Sequence, residues 1–531
     1  METAFFNQLG LGPSALLLSA VAAIFSIAYL FSTLRDNSGL SKIPSTDERF
    51  KLGFQRKAKY LKHGKELLRE GYRKFPQGMF RLTTQFGPTV VVSRDVMDEI
   101  IKKPDEMISF MEPVKHDMQV ECTGITNDTM VAETIRNDLT PNLGRIMPVL
   151  SEEVQSALRK ELPSSREWSA INPNKVLLRV VAIASGSTFV GTDLCRKEEW
   201  IRLSTQFTMD VFIAAEKLKI LPSVLRPLAI KLGWAPELKR ITEHREDVKQ
   251  HMRPIIEKRR QMMANDDGSW EKPNDCLQWM LEKADQYGYG DDAIAMSQLS
   301  LSMVAIHSTA ITATQALLDL AAHPSVLNPL RNELDSALSL SPSDPPTFTK
   351  STLSSCALLD ALIKESQRLS PVLLVIGKRV ALQPIPLSNG ITLPAGTHVA
   401  CPSEAVGTDP SMYADPLSFR PERFLKTSGT ASPAAHVNTA TTAATTTRNA
   451  LTASTKNSLH FGFGRHSCPG RFFAAVEIKL VFAFLVQGWD VALGERGQAG
   501  QELRPASRER GDSITPDPSA MLWVRRRVDD E

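Results

Sequence analysis

Six cysteines are scattered along the 531 residues, Cys122, Cys195, Cys276, Cys356, Cys401 and Cys468, with no paired spacing. That usage suits a reducing compartment and argues against a disulfide framework. Only Cys468 has neighbours that suggest chemistry. It lies in Phe461-Gly-Phe-Gly-Arg-His-Ser-Cys-Pro-Gly470, directly ahead of an apolar segment from Arg471 to Val486. Gly462 and Gly464 permit positive φ and a close approach of backbone to a flat ligand. Pro469 has the fixed φ suited to the first position of a helix, so Cys468 is expected at a helix N-terminus. There the macrodipole and free N–H groups would favour the thiolate, lower its pKa and make a soft-metal ligand. One thiolate with no second Cys or His at matching spacing closes neither a four-ligand zinc site nor an iron–sulfur cluster.

Three further constellations stand upstream. The longest apolar helical stretch before the cysteine loop, Ser297 to Ala322, is interrupted by His307-Ser308-Thr309. An unsatisfied hydroxyl or imidazole inside a buried helix costs about 1 to 3 kcal/mol, so these residues need partners or a purpose. Ser and Thr can also satisfy themselves on the carbonyl one turn back. Glu365-Ser-Gln-Arg368 places opposite charges on one helix face, which alone describes an ordinary surface pair worth about 0.3 to 0.5 kcal/mol. Further on stands Phe419-Arg-Pro-Glu-Arg-Phe424.

The pattern Phe-Gly-x-Gly-x-(Arg or His)-x-Cys-x-Gly resembles the haem-binding loop of the cytochrome P450 superfamily, and a haem supplies the in-plane ligands that a lone thiolate lacks. The resemblance implies that Cys468 is the axial ligand of a haem b iron, within a loop formed by Phe461, Gly462, Gly464 and Gly470. His466 takes the place usually held by an arginine facing a haem propionate, which makes that charge pH-dependent. Arg136, in the helix-like stretch Met130 to Thr140, and Arg379 are the implied further propionate partners; the tryptophan that often precedes the former falls on Ala132. Ala305-Ile-His-Ser-Thr309 fits in part the family's Ala-Gly-x-(Asp or Glu)-Thr. Thr309 takes the proton-relaying threonine's position and Ser308 the acid's, with Ile306 in place of the glycine. Glu365, Arg368 and Arg423 are implied to lock into a buried network behind the haem, where removal of one member strands a charge at about 3 to 5 kcal/mol.

The elements that must position these residues follow. The resemblance covers roughly Arg49 to Arg527 and implies a mainly α fold with a small β-sheet, as one large domain over residues 49–531. Thr89-Val-Val-Val-Ser93 reads as a strand and Leu387-Ser-Asn-Gly-Ile-Thr-Leu393 as a hairpin turning at Asn389-Gly390. Met111 to Asn127 looks irregular, and Lys426 to Ser458, rich in Ala and Thr, reads as a surface loop. Val372 to Gly377 and Ile514 to Pro518 would touch the substrate by resemblance.

At the other end, Thr3 to Leu34 has no charge, and residues 13–34 are apolar over a length that spans a bilayer, which takes about 20 residues. An uncleaved anchor is expected there, after a short segment 1–12 and before a polar linker 35–48. Arg35, Lys42, Arg49 and Lys51 follow it with no basic residue ahead, which puts a single-pass protein's catalytic body in the cytosol, on the endoplasmic reticulum membrane. A formal charge of +3 gives no argument for nucleic acid, and 42% hydrophobic residues are ample for a core.

By resemblance the protein is a monooxygenase that hydroxylates an apolar small molecule, a terpenoid or related secondary-metabolite scaffold, using dioxygen. With no phosphate-binding glycine loop or flavin-domain length in the chain, its electrons would come from NADPH through a separate membrane-bound reductase. Arg465, Arg471 and Lys479 are candidates for docking it. The alternatives are a haem-thiolate isomerase, dehydratase or desaturase, for which the acid missing at Ser308 argues, and a non-catalytic haem-binding membrane protein.

Overall fold

The computed structural model describes residues 40–46, 53–125, 128–342, 344, 346–425, 450–494 and 503–527. The anchor expected at 13–34 lies outside them, as does most of the Lys426 to Ser458 loop. The body is mostly helical. The helices that matter for the site are α1 (Gly53–Lys74), α2 (Met111–Met118), α3 (Thr129–Thr134), α4 (Leu143–Glu161), α5 (Pro173–Phe189), α6 (Glu198–Lys219), α7 (Glu237–Ala264), α8 (Asp291–Ala322), α9 (Ala357–Leu369) and α10 (Arg471–Gly488). Shorter helices are left unlabelled.

Helix α8 is the axis. Between Asp292 and Asp319 it carries no Asp, Glu, Lys or Arg, and it is buried on nearly every side by α5, α6, α7, α9 and α10. A helix apolar all round belongs in the middle of a large core. Asp291 and Asp292 in the first turn complement the positive end of its dipole. It stops at His323, which leaves the helical region because Pro324 follows. Among the described residues α8 is the one helix long and apolar enough to cross a bilayer, and its burial marks it as a core element instead.

The strands are β1 (Met79–Thr84), β2 (Gly87–Val92), β3 (Ile108–Ser109), β4 (Ser169–Ile171), β5 (Ile376–Ala381), β6 (Ile385–Pro386), β7 (Thr392–Leu393), β8 (His398–Cys401), β9 (Trp489–Ala492), β10 (Arg508–Arg510), β11 (Ser513–Thr515) and β12 (Leu522–Arg526). The largest sheet runs β1-β2-β8-β5-β3, antiparallel except where β2 meets β8. The expected strand at Thr89 becomes β2. The Asn389-Gly390 turn closes β6 on β7, with Gly390 at φ 79.

Two expectations change. Residues 40–46, assigned to a polar linker, join the body: Ile43 is fully buried, Arg81 Nε donates to its carbonyl at 2.8 Å, and Ser45 bridges to Arg81 at the edge of β1. A buried isoleucine beside an open sheet edge outweighs the polar composition around it. The stretch Met111 to Asn127 is not irregular throughout, since α2 and a short helix Val120–Thr123 fill it. Gln119, at φ 49, separates them and conceals the periodicity.

Candidate active site

The cysteine loop is held by its own backbone. Cys468 N donates to Phe461 O at 2.8 Å, Gly462 N to Leu459 O at 2.8 Å, and Ser467 N to Gly464 O at 3.1 Å. Gly462 and Gly464 both adopt positive φ, 66 and 77. At Gly464 a Cβ would also lie 2.7 Å from Ile101 Cδ1, so that glycine is required twice over. Helix α10 begins at Arg471, with Gly470 as its N-cap. Pro469 is therefore not the first helical residue, because a turn at Pro469-Gly470 comes between the cysteine and the helix. The first-turn amides of Gly470 and Arg471 still reach the sulfur, but burial outweighs them and raises the thiol pKa. The expected lowering is thus absent from the protein alone; a coordinating metal deprotonates a thiol outright. Cys468 is half-buried and unpaired, whereas Cys195, Cys276, Cys356 and Cys401 are buried.

Behind this loop the structure brings Glu365, Arg368 and Arg423 together. Arg368 Nε and Nη2 donate to the two oxygens of Glu365, both at 2.7 Å, and Arg423 Nε donates to Oε1 at 2.9 Å. The backbone N–H of Arg420 adds a further bond to Oε1 at 2.9 Å. Arg368 Nη1 donates to the carbonyls of Gly407 and Pro416 at 2.7 and 2.6 Å, and Arg423 Nη1 to that of Ala414 at 2.9 Å. The Tyr413 ring lies beside both guanidiniums, 4.9 and 5.9 Å away. Glu365 is 0% and Arg368 1% exposed, so the surface-pair reading of Glu365-Ser-Gln-Arg368 fails.

Across the interior, α8 presents Ala305 to Thr309. His307 is accounted for structurally: Nε2 lies 3.0 Å from Thr205 O on α6, and burial lowers its pKa, keeping the imidazole neutral. Ser308 is exposed and turned back on its own helix, donating to Val304 O at 3.2 Å and Ala305 O at 3.3 Å. Ser302, Thr312 and Thr314 also bond one turn back. Thr309 differs. It is 4% exposed, and its hydroxyl has no hydrogen-bond partner among the described residues. Beside it Val304, on the same mostly buried helix, is 58% exposed.

Of the remaining expected residues, Arg379, His466 and Arg465 lie around Phe110 and Asp105. Arg379 is 4% exposed, yet among the described residues its guanidinium makes a single hydrogen bond, Nη1 to Lys378 O at 2.8 Å, and lies over the Phe110 ring at 5.0 Å. Burial pulls its pKa down to about 10. A guanidinium has five N–H donors, so this one calls for an anionic partner. His466 also stacks on Phe110, with centroids 4.8 Å apart. Its Nε2 is engaged by Asp105 Oδ1 at 3.0 Å, and the bond lowers the pKa of Asp105. The second ring nitrogen has no protein partner among the described residues. Arg136 is exposed on the π-helical turn Ile135–Leu139, also unpartnered among the described residues. Lys479 is not a docking residue: it is buried, 2.6 Å from Asp360 Oδ1. Arg465, which pairs with Asp105 at 3.2 Å, stays at the surface.

Asp105 and Phe110 were not foreseen. Asp105 sits in a polar turn 361 positions before His466, and nothing in its local pattern points there.

A half-buried thiol in a glycine-bracketed loop, the under-bonded guanidinium of Arg379 and an exposed Val304 on an otherwise buried apolar helix fit a flat, doubly carboxylated macrocycle held by sulfur. The fold and site therefore define a haem-thiolate oxidoreductase scaffold. A cytochrome P450 family profile matches residues 57–510. The cytochrome P450 monooxygenase olcJ of Penicillium canescens is 32% identical over 475 residues, 89% of this chain and 85% of the relative. The monooxygenases AtmP of Aspergillus flavus and paxP of Penicillium paxilli are 33% and 30% identical over 464 and 471 residues. These cover 86% and 88% of this chain, and 84% and 86% of the relatives. The chain belongs to the cytochrome P450 family and is a monooxygenase-type enzyme of it.

Proposed function

We propose that this enzyme is an oxygenase of an apolar small molecule, of terpenoid or related secondary-metabolite type, with Cys468 as the residue that would hold the iron of a haem b. The observation that supports the reading is that the Phe110 ring lies against both the under-bonded Arg379 and His466, two residues before Cys468. When bound, the haem supplies the oxidising chemistry, and a thiolate ligand favours O–O cleavage.

The chain's residues do the rest. The amides of Gly470 and Arg471 stabilise negative charge on Sγ. Arg379, Arg136 and the second nitrogen of His466 hold the carboxylates of the cofactor. Glu365, Arg368 and Arg423 fix the framework behind it. Thr309 holds and passes a proton at Oγ1, with Ser308 one position away as the second hydroxyl. Val304 on α8 and Leu373, 58% and 45% exposed, give the guest apolar wall. Electrons come from NADPH through a separate reductase, and residues 13–34 anchor the catalytic body to the cytosolic face of the endoplasmic reticulum.

One observation favours a second reading. Where an acid would deliver protons, Ser308 is engaged by carbonyls of its own helix, which suits a rearrangement or desaturation on the same scaffold. Incubation in microsomes with NADPH, reductase and labelled dioxygen separates the two. Label in the product of a terpenoid substrate supports oxygenation, and an unlabelled, rearranged or desaturated product supports the second reading. If the reduced protein lacks a red-shifted carbonyl band, both readings fall.

A further inference from the structure

Of the three cations expected to dock a reductase, Arg465 is taken up by Asp105 and the Lys103 carbonyl, and Lys479 by Asp360 and the Leu353 carbonyl. Arg471 behaves differently. It is the first residue of α10 and half-buried. Its Nη1 donates to the carbonyl of Cys468 at 2.9 Å, spanning the Pro469-Gly470 turn. Its Nε is buried with no hydrogen-bond partner, and the guanidinium lies over the ring of the adjacent Phe472 at 4.3 Å.

The charge is as telling as the bonds. Among the described residues no carboxylate pairs with Arg471, whereas Arg465 and Lys479 each have one. The guanidinium is thus an uncompensated cation, tied to the backbone of the residue that carries the sulfur. Among the described residues it is also the one side-chain charge that acts on Sγ. A buried N–H without a partner calls for an explanation, and a negative ligand close by supplies one. The charge of a guanidinium is permanent, so its influence does not switch with pH.

Such a charge bears on electron transfer. Adding an electron to iron held by a thiolate increases the negative charge of the iron–sulfur unit, and a fixed cation beside it favours the reduced state. The amides of Gly470 and Arg471 act in the same sense but belong to the main chain. The guanidinium is what the residue type at 471 adds.

We propose that Arg471 sets the reduction potential of the haem iron through Cys468, holding it above the value that the loop backbone alone would give. Arg471 acts through the ligand and is therefore a positioning residue that fixes a charge beside the sulfur. The inference rests on the haem-thiolate reading above.

The test uses the full-length, haem-loaded protein and reads the midpoint of its one-electron reduction by spectroelectrochemical titration. Arg471→Gln keeps a donor for the Cys468 carbonyl and removes the charge, while Arg471→Lys keeps both. A neighbouring opposite charge moves an equilibrium by about tenfold or more, and tenfold for one electron is about 59 mV. The midpoint should therefore fall by about 59 mV in Arg471→Gln and stay near wild type in Arg471→Lys. Arg471→His gives a comparison within one protein: it is charged at about pH 5.5 and neutral at about pH 8. Its midpoint should fall between those values by about 59 mV more than that of the wild type, and this comparison decides if Arg471→Gln fails to hold haem. An unchanged midpoint in Arg471→Gln would overturn the inference, also where that variant only binds reductase less well, as loss of a docking cation would. A fall that Arg471→Lys does not rescue would overturn it too, since the hydrogen-bonding fork and not the charge would then be responsible. In each of these outcomes a normal reduced carbonyl band leaves the haem-thiolate reading standing. A wild-type protein without that band would remove the reading, and the role of Arg471 with it.

Discussion

The two regions proposed to enclose the cofactor are built on opposite plans. Behind Cys468, Glu365 is matched by three side-chain hydrogen bonds and one from the main chain, and Arg368 is enclosed by its carboxylate, three carbonyls and an aromatic ring. On α8, Thr309 has a hydroxyl with no protein partner among the described residues, and Val304 an exposed side chain. Buried polar groups are normally satisfied, and a fully connected network rigidifies what it holds. The first face is thus complete without a guest. The second leaves a hydroxyl and an apolar side chain open, as the proposed role of a face where chemistry is exchanged requires.

That contrast predicts how each face should fail. Cys468→Ser should have the largest effect, abolishing the red-shifted carbonyl band of the reduced protein; an unaltered spectrum would refute the ligand assignment. Next comes Glu365→Gln. It leaves Arg368, 1% exposed, without its counter-charge and should cost about 3 to 5 kcal/mol, seen as a lower unfolding midpoint and poor haem retention. A loss under about 1 kcal/mol, the scale of an exposed pair, would show the network to be dispensable.

On the open face the effect should be on chemistry rather than stability. Thr309→Ala should leave the unfolding midpoint within about 0.5 kcal/mol of wild type while several times more hydrogen peroxide is released per NADPH consumed. Ser308→Ala, whose hydroxyl is engaged by its own helix, should change that ratio little. Should Ser308→Ala alone uncouple the enzyme, the relay belongs to Ser308.

The last effect is read as a pH dependence, on α10. Glu477, on α10, is fully buried against Ser185 Oγ at 2.7 Å, and burial raises its pKa to about 8. The folded protein then keeps a proton that the unfolded chain releases near the ordinary carboxyl value. The stabilising effect of the neutral form is fully present below that value, declines as pH rises, and is lost through about 8. Glu477→Gln should flatten this decline and raise the alkaline unfolding midpoint relative to wild type. Parallel pH profiles for the two proteins would show that Glu477 does not titrate in this range.

Legibility followed sequence distance. The Cys468 loop, α8 and the Glu365/Arg368 spacing were readable because each is a pattern within a few turns of chain. Pro469 suggested a helix start two residues before the one observed, since a turn and a helical first position accept the same φ. Residues 40–46 read as linker because polar neighbours hid Ile43. Lys479 read as a surface cation, although its partner Asp360 lies on another helix.

By itself the sequence determined the chemistry on offer: one cysteine in a glycine-bracketed loop, an uncharged central helix with a threonine in it, and the acids and bases of a closed network. Such features are local, set by residue type and spacing. The tertiary structure alone decided that the Cys468 thiol is raised by burial rather than lowered by its helix, that His466 is shared with Asp105, and that Lys378 joins α2 to the terminal hairpin. Each of these depends on which groups exclude water from one another, and residues hundreds of positions apart acquire that relation only when the chain folds.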